Sequence, residues 1–204
     1  MATAAENKGA GAFQAVTRTV VCTGRTPIMF DRYAGDNATT LEPHQKFYFD
    51  ADGKTICLPT ENVMSFLSAE NTMSAPKRIF GKKAKQIALD CLSFVSIEPQ
   101  MIPLLRDGKP IKFGAFENVD GVLKDKLSGA FVHRCVARLK GGIPNPKVRP
   151  VIPLPWSVAM RVTIFENPSL SEQIVRTLFE KGGFIIGFGT FRGVFGKFSV
   201  SRWE

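Results

Sequence analysis

The chain has 204 residues, a formal net charge of +9 and a hydrophobic fraction of 44%. That is enough for one large domain, or a domain with a sizeable insertion, at an ordinary apolar content. No apolar run is long enough to span a bilayer and neither cationic cluster lies on a clear amphipathic helix, so a membrane partner is not expected.

Residues 1–12 are Ala, Gly and polar, without an apolar core of signal-peptide type. They read as a flexible tail on a cytoplasmic protein, with residues 13–204 as a single domain. Phe13 to Thr23 alternates and is rich in Val and Thr, which predicts a first strand. A loop from Gly24 to Asn37 follows and contains Asp31 and Asp36. Phe47 to Leu58 reads as a hairpin turning at Asp52-Gly53. After Pro59, Thr60 is an N-cap candidate for a helix from Glu61 to about Ala69, with Val63, Phe66 and Leu67 on one face. Ser74 to Lys85 reads as a basic loop holding Lys77, Arg78, Lys82, Lys83 and Lys85 and no acid. Ile87 to Ile97 suits helix or strand, with a strand expected over its second half up to Pro99.

Residues 103–155 hold more than half of the thirteen prolines and read as a Pro/Gly-rich basic insertion. Between Lys124 and Arg161 lie eight cations (Lys124, Lys126, Arg134, Arg138, Lys140, Lys147, Arg149 and Arg161) against one acid, Asp125. Phe131 to Leu139 alternates, and period two puts Arg134 and Arg138 on one face of a strand. The return through Lys140, Lys147 and Arg149 completes a basic hairpin projecting from the body. Clustered positive charge is the footprint of a polyanion, here nucleic acid, and a solvated basic face is the plain alternative.

Trp156 to Phe165 is a strand, and Ser169-Leu170-Ser171-Glu172 reads as a capping box. The helix it opens runs to about Lys181, with Leu170, Ile174, Leu178 and Phe179 inward and Gly182 and Gly183 as its stop. In the terminal segment, Gly182, Gly183, Gly187, Gly189, Gly193 and Gly196 interleave with Phe184, Phe188, Phe191, Phe195 and Phe198 around Arg192. This predicts two short strands joined by a glycine loop whose backbone, rings and cation suit phosphates or bases. A core hairpin with glycine turns accounts for the phenylalanines as well. The order of elements suggests an α+β fold, ferredoxin-like or RRM-like. Its antiparallel sheet would have helices on one face and the other face free for single-stranded nucleic acid.

Enzyme signatures are sparse. No GxGxxG run opens a helix, and GxxxxGK[ST], GxSxG and HExxH are absent. Cys22, Cys57, Cys91 and Cys135 sit in apolar runs without CxxC and read as free buried thiols, while His44 and His133 support no triad. No metal or cofactor is expected.

Two stretches resemble a known family. Ile186-Gly187-Phe188-Gly189, with Gly193-Val194-Phe195-Gly196-Lys197-Phe198, is similar to the glycine-rich C-terminal signature of the RAMP superfamily, the RNA-binding subunits of class 1 CRISPR effectors. The first strand, the Asp31 and Asp36-Asn37 loop, and Asp52-Gly53-Lys54 through Pro59 to Val63 resemble the backbone subunits of those effectors. Thr60-Glu61-Asn62 departs from the small polar residues usual at that helix start. The layout also resembles phage proteins of similar length. The resemblance implies a non-catalytic protein coating single-stranded RNA as a homo-oligomer, with other effector subunits as further partners and the basic insertion as a thumb-like hairpin. Lys77, Arg78, Lys82, Lys83, Arg134, Arg138, Lys140, Lys147 and Arg149 would then meet phosphates, and Arg192 with Gly187, Gly189, Gly193 and Gly196 would approach the backbone. Other readings are a phage single-stranded DNA-binding protein, a phage structural protein, or a metal-dependent RNase using Asp31 or Asp36, the positions to compare with the aspartate by which some backbone subunits cut RNA.

Overall fold

The computed structural model describes residues 14–36, 38–69, 73–138 and 144–204, with backbone alone for 137–138 and 144–145. The first part of the chain runs β1 (Gln14–Gly24), β2 (Ile28–Met29), a 3-10 turn, β3 (Tyr48–Phe49), β4 (Ile56–Pro59), α1 (Thr60–Ser68), α2 (Ala75–Phe80) and α3 (Ala84–Phe94). Then come β5 (Val95–Glu98), β6 (Met101–Arg106), β7 (Lys109–Pro110), β8 (Glu117–Val119), β9 (Val122–Lys124), β10 (Phe131–Arg138) and β11 (Pro144–Ile152). The chain closes with β12 (Ser157–Glu166), α4 (Glu172–Ile185) and β13 (Phe198–Trp203). The fold is α+β with antiparallel sheets.

In the main sheet β1 lies between the edge strand β13 and β12, antiparallel to both. One half of β12 pairs with β5, and its start pairs with β6, which leads on to β4 and β3. Period two along β1 and β12 puts Val20, Cys22, Val158, Met160, Val162 and Ile164 on a single buried face. Val63, Phe66 and Leu67 of α1, Ile87 and Cys91 of α3, and Val175, Leu178 and Phe179 of α4 complete that core. Thr17, Thr23, Ser157 and Thr163 line the opposite face, and its hydroxyls bond across strands, Thr17 to Thr163 and Thr23 to Ser201. Only Phe165 adds a partly exposed ring to the described part of β12 there. Hydroxyls in place of rings make this face a poor stacking platform.

A second sheet has the order β2-β11-β10-β9-β8. Its centre is the long β10–β11 ribbon, in which Arg134 opposes Val148 and Cys135 opposes Lys147. β2 docks the ribbon onto the body through Val151–Met29 and Ile152–Ile28. The ribbon stands where the basic hairpin is expected. Its tip, with Lys140, lies outside the described residues, as does the expected tail.

Several local expectations are corrected. Ser74 to Lys85 is no loop: it forms α2, a 3-10 turn and the start of α3. Pro76 sits in the first turn of α2, where its missing N–H costs nothing, and Ala75, Ala84 and Ala88 turn inward. Residues 87–94 are helical, and the strand begins only at Val95. Pro59, not Thr60, occupies the N-cap of α1, and the Thr60 hydroxyl bonds to the Pro99 carbonyl instead. Ser171 rather than Ser169 caps α4, accepting from Ile174 N–H at 3.4 Å. Gly182 and Gly183 continue α4 because they face close neighbours. A Cβ on Gly182 would lie 2.7 Å from that of Ala75, and one on Gly183 would lie 2.5 Å from the Phe198 ring. The stop comes at Gly187, with φ +87 and its N–H returning to Gly182 O at 3.2 Å. No strand precedes the glycine loop. Its residues from Gly187 to Gly196 form a run of bends and one turn, closed by an isolated bridge between Arg192 and Phe195.

Glu172 ties three elements together. It receives Arg18 of β1 through two bonds of 2.7 and 2.8 Å and Trp203 of β13 through one of 2.7 Å. The Arg18 hydrogen bond first, then that from Trp203, hold its carboxyl below the usual glutamate value. A depressed folded-state pKa adds stability above the unfolded value that is lost as pH falls through the folded one. Unfolding midpoints measured from pH 6 to pH 3 should therefore fall, and Glu172→Gln should flatten that descent. An identical acid slope in the variant would assign the loss to other carboxylates.

Candidate nucleic-acid interface

The glycine segment is built from backbone contacts too close for side chains. Phe188 N–H donates to Gly196 O at 2.9 Å, Gly193 N–H to Ile186 O at 2.7 Å, and a Cβ on Gly196 would overlap the Phe188 carbonyl. The closed loop then grips the chain entering β2. Gly196 N–H donates to Pro27 O at 2.7 Å, and Thr190 N–H donates to Met29 O at 2.9 Å. Asn62 of α1 clamps it from the other side, accepting from Gly189 N–H at 2.8 Å and donating to Gly189 O at 3.1 Å. Asn62, third residue of α1, is thus the partner of the glycine loop.

Arg192 straps the same assembly. Its guanidinium donates to the carbonyls of Gly189 (3.3 Å), Asn62 (3.2 Å) and Met73 (3.4 Å), and burial pulls its pKa down. Arginine stays charged under such a shift because its ordinary value is so high. Arg192 and Gly187, Gly189, Gly193 and Gly196, expected to approach a nucleic-acid backbone, are engaged within the protein to different degrees. Gly187, Gly189 and Gly196 are buried and spent on packing, and Arg192 spends its donors on carbonyls. The exposed part of the loop is instead Phe191 and Val194, with Phe195 behind.

The loop lies between the two basic segments. On one side, Phe195 meets His133 of β10 with ring centroids 5.5 Å apart. On the other, Met73 touches Arg192 and Gly193, and α2 begins two residues later. Lys77 and Arg78 of α2, Lys82 and Lys83 of the 3-10 turn and Lys85 of α3 are all exposed, and none pairs with a carboxylate among the described residues. On the ribbon, the cross-strand register puts Arg134 on one face and Lys147 and Arg149 on the other. Arg134 is exposed; the side chain of Arg138 is outside the described set.

Arg149 does not present a free charge. It is 9% exposed, and its Nε donates to Asp31 Oδ2 at 2.7 Å, with a second guanidinium nitrogen also 2.7 Å from that oxygen. Lys46 approaches the other oxygen at 3.6 Å and donates to Val148 O at 2.6 Å. Asp31 therefore ties the loop after β1 to the ribbon. Asp36 accepts from Ala38 N–H and Thr39 N–H at 2.7 and 2.6 Å and from the Thr39 hydroxyl at 2.8 Å. The Thr39 backbone bond first, then the Thr39 hydroxyl, hold its carboxyl below the usual range. Both aspartates border a cleft of about 460 Å³ with Arg32, Tyr33 and Lys147, and each is committed to partners within the chain. Among the described residues no three His, Cys, Asp or Glu side chains are grouped to hold a metal ion, and no helix is long and apolar enough to cross a membrane.

Asn62, Met73 and His133 escaped the sequence reading as site-building residues.

Comparison with known proteins gives a likeness of fold. A solved chain of the Type III-B Cmr-beta complex, determined by cryo-EM bound to cognate target RNA, superimposes with a TM-score of 0.52 at 13% identity. The match covers 93% of this chain and 60% of that one, so this chain spans less than two thirds of its neighbour's length. No family model matches the sequence, and no curated protein matches it.

Asp31→Ala should destabilise the protein by about 3 kcal/mol, because it leaves Arg149 buried and unpaired. Asp31→Ala/Arg149→Met should recover much of that loss in urea unfolding. A single variant as stable as the parent would show the pair to be structurally idle.

Proposed function

We propose that this chain is a RAMP-like, non-catalytic protein that binds single-stranded RNA in the cytoplasm as one subunit of a larger assembly. The observation that carries the reading is the exposed, acid-free cationic strip of Lys77, Arg78, Lys82, Lys83 and Lys85. It is joined across the glycine loop to the basic β10–β11 ribbon. Such a strip neutralises phosphates and releases their counterions. The main-sheet order β13-β1-β12-β5 supports a ferredoxin-like core, with antiparallel pairing throughout and helices against one face. The ribbon is its thumb-like insertion, and the Cmr-beta neighbour was itself determined with target RNA bound. Homo-oligomerisation along the strand belongs to this reading.

Fluorescence anisotropy with a labelled single-stranded RNA tests it. Affinity should fall steeply with salt. Replacing Lys77, Arg78, Lys82 and Lys83 together by Ala should weaken binding more than tenfold and make the salt dependence shallower, by about 0.7 in log–log slope for each lost contact. Competition with the matched DNA strand separates RNA from DNA binding. A quadruple variant that binds as well as the parent would remove the strip from the interface.

A further inference from the structure

Phe191 adopts φ +54, a left-handed conformation that a bulky L-residue rarely takes. The other described non-glycine residues with positive φ are Asp107 and Asp120, a residue type that tolerates this region in turns. Glycine would adopt it without penalty. Burial does not offset the strain fully, since Phe191 is 43% exposed. Its ring stands at the edge of the Phe195–His133 series, 6.3 Å from Phe195 between centroids. It borders an open cleft of about 450 Å³ whose other walls are Ser65, Met73, Gly189, Thr190 and Arg192. A strained backbone that holds an aromatic ring half out of the protein, over a cleft with a cation and two hydroxyls, is a ligand-facing arrangement.

We propose that Phe191 is a stacking platform for one unstacked nucleobase of the bound strand, with the Met73 side chain as the facing wall of the slot. The inference rests on the RNA-binding reading and adds to it a base-contacting residue where that reading supplies phosphate contacts only. A nucleobase fits better than an apolar peptide because cations border the slot: Arg192 lies within it, and Lys77 and Arg78 follow Met73. Every base has a π-face, so the slot is tolerant of sequence.

The test compares a single-stranded oligo(A) RNA with a base-free ribose–phosphate strand of equal length, both labelled, on the full chain. The wild type should prefer oligo(A). Phe191→Gly should lose about tenfold in affinity for oligo(A), with no change for the base-free strand. Its melting temperature should hold, because relief of the left-handed strain offsets the lost ring contact. Phe191→Trp should keep the preference. If Phe191→Gly binds oligo(A) as the wild type does, or loses affinity for both strands alike, the platform is overturned while RNA binding stands. A wild type that binds both strands equally overturns the platform too, leaving the phosphate strip sufficient. A wild type that binds neither strand overturns the RNA reading and this inference with it.

Discussion

The structure depends on the closure of residues 187–196 upon themselves. Gly187 and Gly196 meet backbone to backbone with no space for a methyl group, and that contact sets the depth at which Phe188 and Phe198 stack, 4.1 Å between centroids. From there the constraint spreads outward. The closed loop bonds to Pro27 and Met29, and Met29 opens the pairing of β2 with β11. Asp31, two residues on, receives Arg149. A glycine-rich segment near the end of the chain thus fixes how the basic ribbon is mounted on the sheet.

Charge is divided by burial. Cations whose side chains reach protein acceptors, Arg149 on Asp31 and Arg192 on three carbonyls, act as fasteners. Those on α2, α3 and the Arg134 face of the ribbon stay in water without a carboxylate partner among the described residues. A polyanion is best served by the second group, because a charge already desolvated and bonded has little to gain from a phosphate. Cys22, Cys57 and Cys91 are buried as expected, with burial pushing Cys57 and Cys91 up to about 12, whereas Cys135 on the ribbon is only half-buried because β10 stands away from the core.

The open face of the main sheet carries hydroxyls that bond to one another, and the aromatic residues gather elsewhere. One group lies within the core around Phe66, Phe179, Phe188 and Phe198. Another packs Phe47, Phe49, Phe113 and Phe116 beneath the ribbon side of the molecule. Among the described residues Tyr33, Phe165, Phe184 and Phe191 carry the exposed Phe and Tyr rings, and of these Phe191 stands in the glycine loop between the two basic segments. The surface best suited to a single strand therefore runs across helix, loop and ribbon rather than over the sheet.

Period two and period 3.6 by themselves determined β1, β10, β12, α1 and the body of α4, because those elements bury one face each and their apolar residues must recur at the period of the element. Turn chemistry at Asp52-Gly53 and the uncompensated charge of two segments were equally legible. Tertiary contact decided the rest. Gly182 and Gly183 carry a helix-stop signal, yet the helix passes through them because Ala75, Phe66 and Phe198 need that bare backbone. Lys77 to Lys85 look like a loop, since their short helices are held by small inward alanines that no strong periodicity reveals. The fastening of Arg149 by Asp31, and of Gly189 by Asn62, joins residues more than a hundred positions apart. A local pattern cannot show which cation will meet a carboxylate and which will be left facing water.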